Sequence, residues 1–264
     1  MGMPHAELLD AAKAAALAAG ALLRGVRASE RRTKTNPKDL VTEWDLRSEQ
    51  VIRAVLAERT PGIPVLGEEG GQGQEGGGST LRWLVDPIDG TVNFAHGLPI
   101  WSISIAVEDA GKVLAGVVWA PVLDWWFEAT AGGGARARDG APLAVSTLAR
   151  LDQALLVTGF PYDLSTEKSN FREWEHMHRV AGACRRLGSA ALDLCAVACG
   201  WFDGYWELDL RAWDVAAGAL IVAEAGGTVT DARGGAFDPH AGEVVATNGA
   251  IHEGLIAELA RVRS

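Results

Sequence analysis

The spacing of apolar positions changes along this chain, from a helical period to an alternating one and back. Leu8, Leu9, Ala12, Ala16, Ala19, Leu22 and Leu23 recur at three- and four-residue intervals, which predicts an amphipathic helix ending near Gly25. Thr42-Glu43-Trp44-Asp45 reads as a second helix start, carried on by Leu46, Ile52, Val55 and Leu56 and stopped by Thr60-Pro61-Gly62. Residues 63–66 read as a short strand leading into Gly67-Glu68-Glu69, and the Gly- and Gln-rich stretch 70–78 as a loop. Strand character then dominates at 81–85, 100–107, 113–119 and 125–129, with turns at 108–112, 132–134 and 139–140. The first half is thus expected to hold two helices and then a mostly antiparallel sheet.

The second half alternates. Strands are expected at 155–158, 184–187, 205–208, 227–230 and 243–246, and helices at 167–181, 190–198, 215–225 and 251–262. That alternation implies a sheet covered by helices. The fold class is α/β (α+β), in one domain spanning 1–264 with halves of about 1–150 and 151–264.

Composition narrows the function. A chain of 264 residues, 48% hydrophobic, can bury a sizeable core. A formal net charge of −10 argues against nucleic-acid binding through a basic surface. Cys184, Cys195 and Cys199 are odd in number and lack zinc-site spacing, so they read as small buried apolar residues in a reducing cytoplasm. The N-terminus lacks a basic signal-peptide segment, and no apolar run reaches the roughly 20 residues of a membrane span. A soluble cytoplasmic protein, with no membrane partner, is the expectation. The ten tryptophans suggest packing, in the core or at a dimer interface.

Candidate chemistry centres on Val85-Asp86-Pro87-Ile88-Asp89-Gly90-Thr91-Val92. Two carboxylates three apart at a strand end suit a hard divalent cation, which prefers oxygen ligands. An ordinary turn explains the same residues, since Asp, Pro and Gly are turn formers. Glu68-Glu69 also ends a strand, and acidic groups converging from two strand ends would repel unless cations neutralised them. Asp214 has a local explanation as a helix cap, and Asp45 one as the partner of Thr42 in a capping box.

Taken together, these segments resemble a known family. Trp83-Leu84-Val85-Asp86-Pro87-Ile88-Asp89-Gly90-Thr91-Val92-Asn93-Phe94 is similar to the signature of the inositol monophosphatase family. Trp213-Asp214-Val215-Ala216-Ala217-Gly218, running on to Glu224-Ala225-Gly226-Gly227, resembles its second signature. Asp39-Leu40-Val41-Thr42 with Asp45, and Gly67-Glu68-Glu69, resemble two further family segments in the same order. The resemblance implies a layered αβαβα sandwich of the sugar-phosphatase type, commonly a homodimer. It also implies Mg²⁺, two or three ions per site, and inhibition by lithium.

By the same resemblance, Glu68, Asp86 and the main-chain carbonyl of Ile88 hold a first metal. Asp86, Asp89 and Asp214 hold a second, with Asp86 bridging. Thr91 and Asp45 activate the attacking water and, with Glu68, form the catalytic set. Main-chain N–H groups of Gly90 and Thr91 hold phosphate, Lys34 stands at the site's edge, and Gly188, Ser189, Ala190 and Glu207 line the alcohol. A side chain at position 90 is expected to crowd the phosphate.

The implied reaction is metal-dependent hydrolysis of a small phosphate monoester, with inositol 1-phosphate the leading substrate. Relatives acting on fructose 1,6-bisphosphate, histidinol phosphate or nucleotide 3′-phosphates are alternatives, as is a protein that binds the transcription machinery. An aspartyl-nucleophile phosphatase is disfavoured, because its Asp-x-Asp spacing differs from the Asp-x-x-Asp found here.

Overall fold

A computed structural model describes residues 3–26, 31–33, 40–72, 80–162 and 169–263. Helix α1 (His5–Leu23) buries an almost continuous alanine face, so it can lie close against its neighbours. The short antiparallel pair β1 (Arg31–Thr33) and β2 (Leu40–Thr42) leads into α2 (Glu43–Arg59). Strands β3 (Val65–Gly67), β4 (Gly71–Gln72) and β5 (Leu81–Asp89) follow, then helix α3 (Thr91–His96). Strands β6 (Ser102–Asp109), β7 (Lys112–Ala120), β8 (Trp125–Thr130) and β9 (Gly134–Ala137) complete the large sheet. Its order is β4-β3-β5-β6-β7-β8-β9, with β3 and β5 parallel and every other pair antiparallel.

The remaining chain supplies β10 (Leu155–Thr158), α4 (Phe171–Val180), β11 (Ala183–Arg185), α5 (Ala190–Ala198), β12 (Gly204–Leu208) and α6 (Ala212–Glu224). Then come β13 (Thr228–Thr230), β14 (Glu243–Thr247) and α7 (His252–Arg263). The smaller sheet runs β11-β10-β12-β14-β13.

Contacts between elements define five layers: α1 with α2, the large sheet, α5 with α6, the small sheet, and α4 with α7. This is the αβαβα sandwich that the resemblance implied. It also explains why 190–198 and 215–225 lack an amphipathic stripe. All nine residues of α5 are buried, because sheets cover this layer on both sides, and a helix enclosed all round is apolar all round.

Some boundaries differ from expectation. Strand β5 does not stop at Val85; it continues through Asp89, and its pairing with β6 becomes irregular between Asp86 and Asp89. One strand thus carries both carboxylates. Helix α4 begins at Phe171, and the earlier part of the expected 167–181 helix includes residues outside those described. Strand β11 lies one residue earlier than expected and ends by Arg185, where its pairing with β10 ends. Strands β1, β2, β4 and β9 and helix α3 were not expected, being too short to show a period. Trp83 and Trp206 are core residues, while Trp125 and Trp201 are exposed and meet edge-on at 4.8 Å. Cys184 and Cys195 are buried free thiols, and Cys199 is half-buried.

Candidate active site

The parallel pairing of β3 and β5 sets Gly67 beside Val85, so Glu68, just past the end of β3, follows beside Asp86 on β5. The Glu68 N–H donates to the Val85 carbonyl at 3.2 Å. Asp214 arrives from the first turn of α6, where its Oδ2 accepts from the Arg211 N–H at 2.7 Å. Glu68, Asp86, Ile88, Asp89, Gly90, Thr91, Gly188, Ser189, Ala190, Glu207 and Asp214 all line one cavity of about 420 Å³. Lys34 lies outside the described residues.

Asp45 is reached differently. It is fully buried at the start of α2, where Oδ2 accepts from the N–H and the hydroxyl of Thr42 at 2.8 and 2.5 Å. The capping box is therefore formed. Oδ1 meanwhile accepts from the Thr91 hydroxyl at 2.9 Å. One oxygen serves the capping box and the other meets Thr91, since capping turns the carboxylate toward Thr91. Thr91 Oγ1 also lies 3.0 Å from the Ile88 carbonyl.

Gly90 has φ of +96°, and a Cβ there would press on the Gly188 and Ile100 carbonyls at 3.0 and 3.2 Å. The glycine answers to its own backbone and its protein neighbours, a different reason from the crowding of phosphate expected from the sequence.

Asp89 is held tightly. Its Oδ2 accepts from the Ser189 hydroxyl at 2.5 Å and the Ala191 N–H at 2.8 Å, and Oδ1 from the Ala190 N–H at 3.1 Å. A carboxylate is thereby placed at the N-terminus of α5, where the helix dipole favours negative charge. It also means that Ser189 and the Ala190 N–H face Asp89 rather than presenting these donors to an alcohol. Oδ1, with one such bond, keeps acceptor capacity toward the cavity.

The electrostatics are those of packed acids. Burial pushes Asp86 well above the ordinary carboxylate range, and the charges of Glu68, Asp89 and Asp214 add to it. Asp214 is raised likewise, by burial and then by Glu68. Burial raises Asp45, against the pull of the Thr42 hydrogen bonds. Asp89 rises to about 6 by burial, restrained by its bonds to Ser189, Ala191 and Ala190. Glu207 rises to about 7, again by burial, although the Tyr205 hydroxyl donates to its Oε2 at 2.7 Å.

One lining acid was not singled out from sequence. Asp193 is buried in α5 at the cavity wall, with Oδ1 lacking a partner. A lone acid inside the apolar run 190–198 was the available signal. Arg186 lines the same wall. Glu49 and Arg53, which lie on α2 and do not line the cavity, had no sequence signal beyond helical spacing. His96 is exposed, and His176 and His178 take different partners, Glu258 at 2.7 Å and the Trp174 ring.

The donor set fits a hard divalent cation: the carboxylates of Glu68, Asp86, Asp89 and Asp214 and the Ile88 carbonyl all offer oxygen, and buried acids that raise one another's pKa gain from a positive charge between them. As placed, no three His, Cys, Asp or Glu side chains among the described residues stand close enough together to share one ion.

Comparison with known proteins agrees with the fold and the motifs. Residues 5–264 match the model of the inositol monophosphatase family. An inositol-1-monophosphatase of Synechocystis is 41% identical over 256 residues, covering 96% of this chain and 88% of its own length. The Nus factor SuhB of Pseudomonas aeruginosa is 41% identical over 227 residues, covering 84% and 83% respectively. The solved inositol monophosphatase of Anabaena superposes with a TM-score of 0.88 at 38% identity, covering 96% of this chain and 95% of that one.

Proposed function

This chain belongs to the inositol monophosphatase family of metal-dependent phosphomonoesterases, and we propose that it hydrolyses inositol 1-phosphate to inositol and inorganic phosphate. The observation that carries the reading is the single cavity onto which Glu68, Asp86, Asp89, Asp214 and the Gly90-Thr91 turn all open. Mg²⁺ is the proposed cofactor, in two or three ions per site, held by Glu68, Asp86, the Ile88 carbonyl, Asp89 and Asp214. When bound, such ions neutralise the repulsion between dianionic phosphate and hydroxide and lower the pKa of a water.

The chain's own residues supply the rest. The Thr91 hydroxyl, already donating to Asp45, can accept a proton from the attacking water while passing its own to Asp45 Oδ1. The raised pKa of Asp45 favours taking that proton. The N–H groups of Gly90 and Thr91 orient the phosphate, and Glu207, Gly188, Ser189 and Ala190 border the alcohol side. A homodimer, lithium sensitivity and a cytoplasmic location belong to the same proposal. Among the described residues, no helix is long and apolar enough to cross a membrane.

The test is phosphate release from a panel of esters, including inositol 1-phosphate, fructose 1,6-bisphosphate, histidinol phosphate and a nucleotide 3′-phosphate, with Mg²⁺ and with or without Li⁺. Fastest turnover of inositol 1-phosphate, stopped by chelation and slowed by Li⁺, is expected. Absence of metal-dependent release from every ester would overturn the reading. The likeness to Nus factor SuhB favours one second reading, association with the transcription machinery. Capture of RNA polymerase components from extract, by a variant devoid of turnover as well as by the parent chain, would establish it.

A further inference from the structure

Asp45, Glu49 and Arg53 stand four apart on α2 and so share one face. Asp45 meets Thr91, as described. The other two meet the turn that carries Glu68. The Glu49 carboxylate, 3% exposed, accepts from the Glu69 N–H at 2.8 Å through Oε2 and from the Gly70 N–H at 2.9 Å through Oε1. Arg53 Nε donates to Oε1 at 2.7 Å. The same guanidinium donates to the Val65 carbonyl at 3.0 Å and the Gly71 carbonyl at 2.8 Å, at the two ends of the turn. On the other flank of Glu68, a Cβ on Gly67 would land on the Glu49 carboxyl, so glycine there makes room for it.

One buried carboxylate therefore sits against residue 67 and holds the N–H of residue 69, with Glu68 between. A carboxylate suits the task because it accepts from three donors at once and carries the charge that Arg53 balances. A carboxamide offers one acceptor oxygen and would turn its NH₂ against another donor.

We propose that Glu49, seated by Arg53, is a positioning residue that fixes the Glu68 turn and thereby sets the affinity of the site for its divalent cation. The inference rests on the reading of Glu68 as a metal ligand. Because α2 also carries Asp45, the same helix registers the proton acceptor against the cation ligand. Groups that orient metal ligands without touching the ion typically cost about 10–100-fold in affinity when lost.

The test uses the full chain, with Mn²⁺ as the probe. Glu49→Gln and Arg53→Lys are compared with the parent by calorimetric Mn²⁺ titration, by the Mg²⁺ concentration for half-maximal turnover, by kcat at saturating Mg²⁺, and by thermal unfolding without metal. Both variants are expected to weaken Mn²⁺ binding and raise the half-maximal Mg²⁺ by about tenfold or more. Excess Mg²⁺ should restore kcat to within about twofold. Unchanged Mn²⁺ affinity in a folded variant overturns the inference and makes the pair a structural brace. If Glu49→Gln does not fold, the Arg53→Lys result decides alone. Failure of the parent chain to bind Mn²⁺ at all overturns the metal reading itself, a distinct outcome.

Discussion

Asp89 and Ser189 stand 100 positions apart in sequence, yet their side-chain oxygens meet at 2.5 Å. Asp89 ends β5 of the large sheet, and Ser189 precedes α5 in the central layer, so this contact ties the first half of the chain to the second at the cavity wall. Ser189→Ala removes one hydrogen bond to a buried carboxylate and leaves the Ala190 and Ala191 N–H bonds. The expected cost is about 1–2 kcal/mol in denaturant unfolding of the metal-free protein. A variant as stable as the parent would show that the main-chain bonds suffice.

Asp45→Asn keeps an oxygen or amide opposite Thr42 but removes the proton acceptor behind Thr91. Turnover should fall by about 10²–10⁴-fold, while Mn²⁺ affinity stays within about threefold. Stability should change by less than about 1 kcal/mol, since the Asn oxygen can still accept from Thr42 while its NH₂ donates to the Thr91 hydroxyl. Loss of folding with retained turnover per folded molecule would mean that the capping box is the whole role of Asp45.

Gly159 borders the Glu207 carboxyl so closely that a Cβ would overlap it. Gly159→Ala must displace Glu207, at the alcohol side of the cavity. The KM for inositol 1-phosphate should rise about tenfold, whereas hydrolysis of p-nitrophenyl phosphate, which has no polyol, should change little. Equal effects on both esters would remove Glu207 from alcohol recognition.

The pH dependence of the metal-free protein follows from its raised acids. Asp89 is at about 6 and Glu207 at about 7 when folded, against 3.8 and 4.5 as ordinary values. Between those limits the folded state holds more protons than the unfolded one. Their stabilising contribution is full below about pH 4, and is lost as pH rises through about 7. Thermal unfolding in EDTA should therefore shift to lower temperature from pH 5 to pH 8, and Mg²⁺ should reverse the trend, because it binds the deprotonated form. Asp86→Asn should abolish hydrolysis, weaken metal binding, and raise the unfolding temperature in EDTA at pH 8 by removing one buried acid. A flat pH profile, or a variant less stable there, would contradict this account.

What the sequence determined by itself was local or periodic. The helices and longer strands were legible from apolar spacing, whereas the order of the layers was an implication of the family resemblance. The capping residues Thr42 and Asp45 were legible because a cap and its partner lie three residues apart. The motif residues carried the family. Only the tertiary structure decided what the remaining oxygens do. Asp45 Oδ1 faces Thr91, 46 positions away; Glu49 holds the Glu68 turn; Asp89 anchors α5. Nor did periodicity reveal that β5 continues through its two acids, since strand pairing with β6 settles that. The physical reason is that hydrophobic pattern encodes only the direction in which a side chain is buried. The partner it meets there depends on the path of the chain between them.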